Sequence, residues 1–394
     1  MSTSGAPRPL LLAAGLGSVQ LIAWGTLYYS IAVLGPPIQR DLGLSSAELY
    51  GAFAWSLALS GVLAPWAGQL VDRGGGRLVL TASVLIGALG FGLLACAHSL
   101  PMLALGWTVQ GVAMALGLYD TCFAALGQVA VQSYRRSVTT VTLIAGLAST
   151  VFWPVSHYAL KAVQWRGTYL AFAGLLVTCA PLYLVLLPRG SPATPRDHTA
   201  TTTSAATGAA RLRARLLSLA FAGAALVSGA LSAHLVSTLA ALQFSSTQAV
   251  WIAASVGVMQ VVGRWVELWT SRLSVHRLSL LTFSGVLVSI LFLMASQAVP
   301  SLVLLFVLTY GAANGVITIV KALLPVELLG THQIGTVLGR FSAPSLIARA
   351  GAPWAFALVQ SSKLGTMGAL SISVLVAAAS LAAFVKTSRR AVSR

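Results

Sequence analysis

The chain has 394 residues, 57% of them hydrophobic and 8% charged, with 24 Lys and Arg against 7 Asp and Glu for a net charge of +17. A soluble domain carries about 25% charged residues, so this chain cannot cover a water-facing surface of its size, and a soluble enzyme is excluded. The basic excess falls between long apolar runs, which marks the loops of a polytopic membrane protein, with lipid rather than nucleic acid as its surroundings.

A helix needs about 20 apolar residues to cross the hydrocarbon core. Runs of that kind lie at 10–35, 46–69, 78–97, 101–131, 138–160 and 167–188, then at 216–242, 247–269, 277–298, 300–325, 333–359 and 364–386. The first is a membrane span rather than a cleaved leader, because no small-residue cleavage site precedes a polar start. Between the two sets, 191–215 is rich in Thr, Ala and Arg and reads as a cytoplasmic linker. The expectation is an all-α membrane protein of twelve transmembrane helices in two pseudo-symmetric six-helix bundles, 1–190 and 216–394.

With both termini in the cytoplasm, sixteen Lys and Arg fall on inner loops and tails and four on outer loops. That bias fixes the orientation in a bacterial-type inner membrane. The halves also echo each other. Pro101 and Pro300 are 199 residues apart, Gly111 and Gly311 are 200 apart, and Pro154 and Pro353 are 199 apart. Duplicated halves imply a substrate site near the midplane.

Few polar groups lie inside the apolar runs, and a charge there costs at least ~2.5–3.5 kcal/mol unless paired or wetted. Arg264 is deep in the eighth run, where its planar fork suits a carboxylate or pairs with Glu267. Arg349 is central in the eleventh, too deep to snorkel, so it faces a cavity or pairs with Asp120. Asp120, well inside the fourth run, and His234, central in the seventh, are candidates for carrying a proton. Tyr28, Tyr29 and Asn314 are further substrate-contact candidates. Adjacent helical residues point about 100° apart, so one of the two tyrosines is expected to face the cavity. Cys96, Cys122 and Cys179 have no ligand spacing and read as packing residues. There is no metal cluster, Walker loop or nucleophile set, so no cofactor is expected and transport would be driven by a gradient.

Between the second and third runs stands GQLVDRGGGR, 68–77. Gly68 permits close helix approach, Asp72 can face the positive end of a neighbouring helix, and the glycines permit a tight turn. This resembles the loop signature of the major facilitator superfamily, with Gly68, Asp72, Arg73, Gly75 and Arg77 filling the pattern and Gly76 standing where the family often has Arg. The resemblance implies a conformational latch, so these five residues would gate rather than bind substrate.

A narrower resemblance is to the monocarboxylate transporter family and its bacterial relatives. It rests on WGTLYYSIAVLGPPIQRDLGLS from Trp24, ASVGVMQVVGRWVE from Ala254 and LLGTHQIGTVLGRFSAP from Leu328. Arg264 falls on the family's carboxylate-binding Arg, while Gln260 stands at its Asp, and the first run lacks its Lys. The family's proton route is therefore not carried over. The resemblance implies a small organic anion as substrate, as do Arg264 and Arg349 against a single interior acid; protons are expected as the coupling ion, and no obligate protein partner is evident. The alternative is dedicated efflux of a toxic or secreted compound such as a metalloid, antibiotic or siderophore. The Gly-Pro pair of drug/proton antiporters is missing from GLASTVFWP, 146–154.

Overall fold

Lipid cannot satisfy backbone N–H and C=O groups, so the apolar runs are driven into helix. The computed structural model describes residues 9–189, 208–269, 273–329 and 333–389, and among these no strand occurs. Fourteen helices follow in chain order. They are α1 (Pro9–Trp24), α2 (Ile31–Leu42), α3 (Ser46–Gly74), α4 (Gly76–Ala95), α5 (Leu100–Gly117), α6 (Tyr119–Val129) and α7 (Tyr134–Ala145). Then come α8 (Ala148–Leu186), α9 (Gly208–Ala241), α10 (Ser246–Trp269), α11 (Val275–Ala295), α12 (Leu302–Leu329), α13 (Ile334–Gln360) and α14 (Gly365–Arg389).

Among the described residues, ten stretches are long and apolar enough to cross a membrane. The longest, Val131–Leu186, has 56 residues. At about 1.5 Å per residue that is length for two crossings, and it is interrupted at Gln164, whose φ of 59° and ψ of −179° are not helical. Helix α13 has 27 residues and is long enough to cross, but it carries Arg340 and Arg349. The linker expected at 191–215 is shorter on its far side, since α9 begins at Gly208. The stretch GAARLRAR is rich in Ala, Leu and Arg, all strong helix formers. Residues 190–207 lie outside the described residues.

The chain divides into two compact units. In the first, which takes residues up to 194 and also 329–343, α4 lies against α5 and α8, α3 against α5, and α1 against α7 and α8. Arg166 ties this unit together at the Gln164 break. Its guanidinium donates to the Asp41 carboxylate of α2 and to the Ala97 carbonyl at 2.9 Å, and lies 4.1 Å from the Trp165 ring centre. In the second unit, α14 lies against α9 and α11, and α9 against α10.

The two units repeat one design at an offset of 200 residues. Ser45 and Glu48 form a capping box at the start of α3, and Ser245 and Gln248 make the same reciprocal pair at the start of α10. Two residues before each serine the backbone turns left-handed, at Gly43 (φ 63°) and Gln243 (φ 71°). Gly111 of α5 then lies against Ser56 and Leu59 of α3, and Gly311 of α12 against Val256 and Met259 of α10. Small residues let the backbones meet, which is how helices associate in lipid.

A side chain at Gly311 would overlap the Met259 side chain, so Gly311→Val should destabilise by about 1–3 kcal/mol or more. Gly257, with nothing near its missing Cβ, should accept Ala without loss. Thermal unfolding of the detergent-purified variants checks both.

Candidate functional site

The loop after α3 is built by its own sequence. Gly75, at φ 78°, lets the chain leave α3 and start α4, and Gly76 sits against Ala125 of α6, where a Cβ would overlap. Asp72, in the last turn of α3, reaches the start of α13. Its Oδ1 accepts from the Gly335 N–H at 2.9 Å, and its Oδ2 from the Thr336 N–H and hydroxyl, both at 2.7 Å. The first N–H groups of any helix lack intrahelical partners. Here the residue before α13 is Gln333, at φ 52°, a residue type outside the usual capping set. The cap comes from α3 instead. Gly68 makes the approach possible, since a Cβ on it would overlap the Gly335 carbonyl, and Gly339 meets Ala64 in the same way. Arg73 is exposed and Arg77 half-buried. Gln128 of α6 donates to the Val71 carbonyl at 2.8 Å, holding the same corner.

Elsewhere in the first unit three apolar runs are not continuous α-helices, the fifth run turning at Gly146–Leu147 between α7 and α8. The first contains a π-helical segment, Gly25–Tyr29, between α1 and α2. The fourth breaks at Leu118, which is extended, and resumes as α6. Side chains answer the freed carbonyls. Gln20, fully buried, donates to Gly117 O at 2.6 Å, and Thr121 donates to Ala115 O at 2.8 Å. Asp120 is thereby placed in the first turn of α6, half-buried, where a helix favours negative charge.

Aromatic rings gather around this break. The Trp24 ring is 4.8 Å from Tyr119, 5.3 Å from Tyr28 and 6.4 Å from Tyr29. Tyr28 continues to Phe53 at 5.7 Å, and Tyr29 to Trp153 at 6.3 Å. The π-helical turn brings both tyrosines into one cluster, where a regular α-helix was expected to separate them.

The second unit holds the other candidates. Gln260 and Arg264 are one turn apart on α10 and face α12. The Gln260 backbone lies against Gly315, and Arg264, 6% exposed, donates through Nε to Gly315 O at 3.1 Å. Glu267, one turn further, is also buried. Asn314 is half-buried beside Gly315. His234 of α9 directs Nε2 at the Pro353 carbonyl, 3.0 Å away, and stacks on Phe356 at 5.2 Å. A carbonyl only accepts, so that nitrogen carries the hydrogen. Arg349 of α13 is half-buried and donates to Ser228 Oγ at 3.3 Å, with Gly229 against its backbone.

Sequence reading missed Gly335, Thr336, Gln20, Thr121, Trp24 and Trp153. Gln20 was discoverable, as an amide deep in an apolar run. The rest carry no signal until their partners are known.

The family model for the Major Facilitator Superfamily matches residues 16–353. The chain belongs to that superfamily. Solved structures agree over nearly the whole length. FucP in the outward conformation superposes with a TM-score of 0.74 at 14% identity, covering 96% of this chain and 99% of that one. The human organic anion transporter MFSD10 (TETRAN) gives 0.67 at 16% identity, covering 97% and 100%. At these identities the likeness shows the fold.

Two curated relatives match by sequence. The multidrug resistance protein MdtL of Klebsiella pneumoniae is 28% identical over 163 residues, 41% of each chain. Monocarboxylate transporter 6 of Mus musculus is 27% identical over 168 residues, 40% of this chain and 34% of that one. Each match thus spans less than half of the relative's length. The superfamily to which the chain belongs consists of membrane transporters of small molecules, and ten stretches among the described residues are long and apolar enough to cross a membrane.

The Asp72 cap is testable within the first unit. Asp72→Asn should lower stability by about 1–3 kcal/mol. Thr336→Val should cost less in that background than in the wild type, because the two share one interaction. A double-mutant cycle in thermal unfolding reads the coupling.

Proposed function

We propose that this transporter moves a small organic anion, monocarboxylate-like, across the cytoplasmic membrane by alternating access coupled to protons. The observation that carries the reading is Arg349. It is half-buried in α13, which this reading takes as a membrane crossing, and its one hydrogen bond among the described residues is a long one, 3.3 Å, to a serine. An intramembrane cation costs at least ~2.5–3.5 kcal/mol on insertion scales, and a carboxylate substrate would answer it with two parallel bonds. Arg264 is the second arginine of the anion reading. Its Nε is already engaged with Gly315, which gives it a helix-holding role as well. Tyr28, Tyr29, Gln260 and Asn314 would line the substrate path.

Asp120 and His234 are the proposed proton carriers. Asp120 lies at a broken helix where backbone is irregular at membrane depth, a feature tolerated where it is buried in protein or lines a cavity. The Gly68–Arg77 loop would gate, with Asp72 releasing α13 as the conformation changes and Gly68, Arg73, Gly75 and Arg77 setting its geometry. Twelve crossings follow if Val131–Leu186 crosses twice and α13 crosses once. The positive-inside bias then puts both termini in the cytoplasm of a bacterial-type inner membrane.

The second reading, efflux of a toxic or secreted compound, is favoured by the sequence likeness to MdtL. Uptake of radiolabelled lactate, pyruvate, benzoate and succinate into proteoliposomes separates the two. At least one should accumulate, and faster under an inwardly directed proton gradient. Arg349→Ala should cut that uptake at least about tenfold, in line with losing a charge-assisted pair. Asp120→Asn should abolish the gradient's effect. No accumulation by folded protein would shift the assignment to efflux.

A further inference from the structure

Buried hydroxyls in the second unit mostly return their hydrogen to a carbonyl of the preceding turn. Ser279 donates to Val275 O, Thr282 to Leu278 O, Ser289 to Val286 O, Ser373 to Ala369 O and Ser380 to Val376 O, all at 2.7–2.8 Å. Two hydroxyls near Arg349 do not. Tyr310 of α12 is 2% exposed and Ser345 of α13 is 5% exposed, and neither hydroxyl has a hydrogen-bond partner among the described residues. A buried polar group left unpaired is destabilising, so each such group needs an explanation.

Their placement supplies one. Ser345 and Arg349 are four residues apart on α13 and share a face. Gly311 is fixed against α10, so its neighbour Tyr310 is turned about 100° away from that contact. Tyr310 stacks on Phe306 at 5.3 Å and shares a core cluster with Val227 of α9. The next residue, Ser228, is the one Arg349 reaches. The guanidinium is also near enough to act electrostatically on the Tyr310 hydroxyl. Arg349 thus contacts Ser228 of α9, has Ser345 one turn away on its own face of α13, and has the Tyr310 hydroxyl of α12 within its electrostatic reach.

We infer that the second unit carries a carboxylate site of its own, in which the Tyr310 and Ser345 hydroxyls donate to the anion that Arg349 holds. The inference rests on the anion reading above and deepens it by naming the ligands. An arginine offers two parallel N–H groups to one carboxylate edge, and an ionised carboxylate, which only accepts, has lone pairs left for two hydroxyls. A site of buried donors also discriminates. An amide or ester of the same acid keeps one carbonyl acceptor but loses the charge and the second equivalent oxygen, which leaves the arginine uncompensated and a donor unpaired, so it is rejected. Thr238 is likewise buried and unpartnered, but it lies about 15 Å along α9 from Ser228 at 1.5 Å per residue. It serves as the control.

The test is thermal unfolding of the full-length protein in detergent, with sodium acetate, pyruvate, benzoate or succinate titrated against sodium chloride of equal ionic strength. At least one carboxylate should raise the Tm of the wild type, as any ligand of the native state does. Tyr310→Phe and Ser345→Ala should each raise its half-saturating concentration about tenfold, while Thr238→Val leaves it unchanged. In chloride alone, Tyr310→Phe should melt no lower than the wild type, because the hydroxyl it removes has no partner to lose.

Two results overturn the site while leaving the anion reading intact. One is a response that survives both hydroxyl variants unchanged but is lost in Arg349→Ala. The other is a fall of several degrees for Tyr310→Phe in chloride, which would mean the hydroxyl has a structural partner. If no carboxylate moves the wild type, the anion reading itself fails and the site fails with it.

Discussion

Lipid offers a backbone no hydrogen bonds, and the departures from regular helix in the first unit are answered by side chains. The Leu118 break survives because Gln20 takes the Gly117 carbonyl and Thr121 the Ala115 carbonyl. The start of α13 is met by the Asp72 carboxylate, which accepts three hydrogens. These bonds account for much of the sparse polar content of an otherwise apolar chain. A helix that stops and restarts within an apolar run presents a fresh N-terminus, and Asp120 stands at it.

This constraint sorts what could be read in the sequence from what could not. Apolar runs, the loop signature and the cation bias all follow from composition and spacing, so the helical membrane fold was legible. The helix breaks were not. Hydropathy is continuous through Gly117–Leu118 and through Gly25–Tyr29, and the residues that make the breaks tolerable lie far away in sequence. Tyr28 and Tyr29 show the consequence, since a regular helix would separate rings that the π-helical turn gathers around Trp24. The repeat was visible where the same residue stood in both halves, as with Gly111 and Gly311. The capping boxes at Ser45 and Ser245 fit one S-x-x-E/Q pattern and were open to reading, whereas the left-handed turns were hidden because Gly43 is replaced by Gln243. Geometry was conserved between the halves where identity was not.

Asp72 was readable as an acid able to face a helix end, but its partner was not. The N-terminal turn of α13 carries no capping residue of its own, and Gln333 gives no hint that a carboxylate from another helix does the work. Gly335 and Gly339 become meaningful only against Gly68 and Ala64, whose backbones they touch. A stripe of small residues states that something comes close, without stating what.

Comparing the repeats position by position shows where the halves have diverged. At the 200-residue offset Arg264 corresponds to Ala64, Gln260 to Ser60, Asp120 to Val320 and Tyr310 to Gln110. Ala64 serves only to admit Gly339, whereas Arg264 reaches Gly315 across the α10–α12 crossing. Gln110 donates to the Gly87 carbonyl at 3.2 Å and so works for helix packing, whereas the hydroxyl of Tyr310 has no partner among the described residues. Packing alone would have let the two copies keep similar residues at these crossings, as they do at Gly111 and Gly311. Instead the first copy carries an acid at a broken helix and a ring cluster, and the second carries Arg264 and Arg349. The two copies therefore differ where a polar group enters the apolar runs and agree where a helix crossing needs only a small residue.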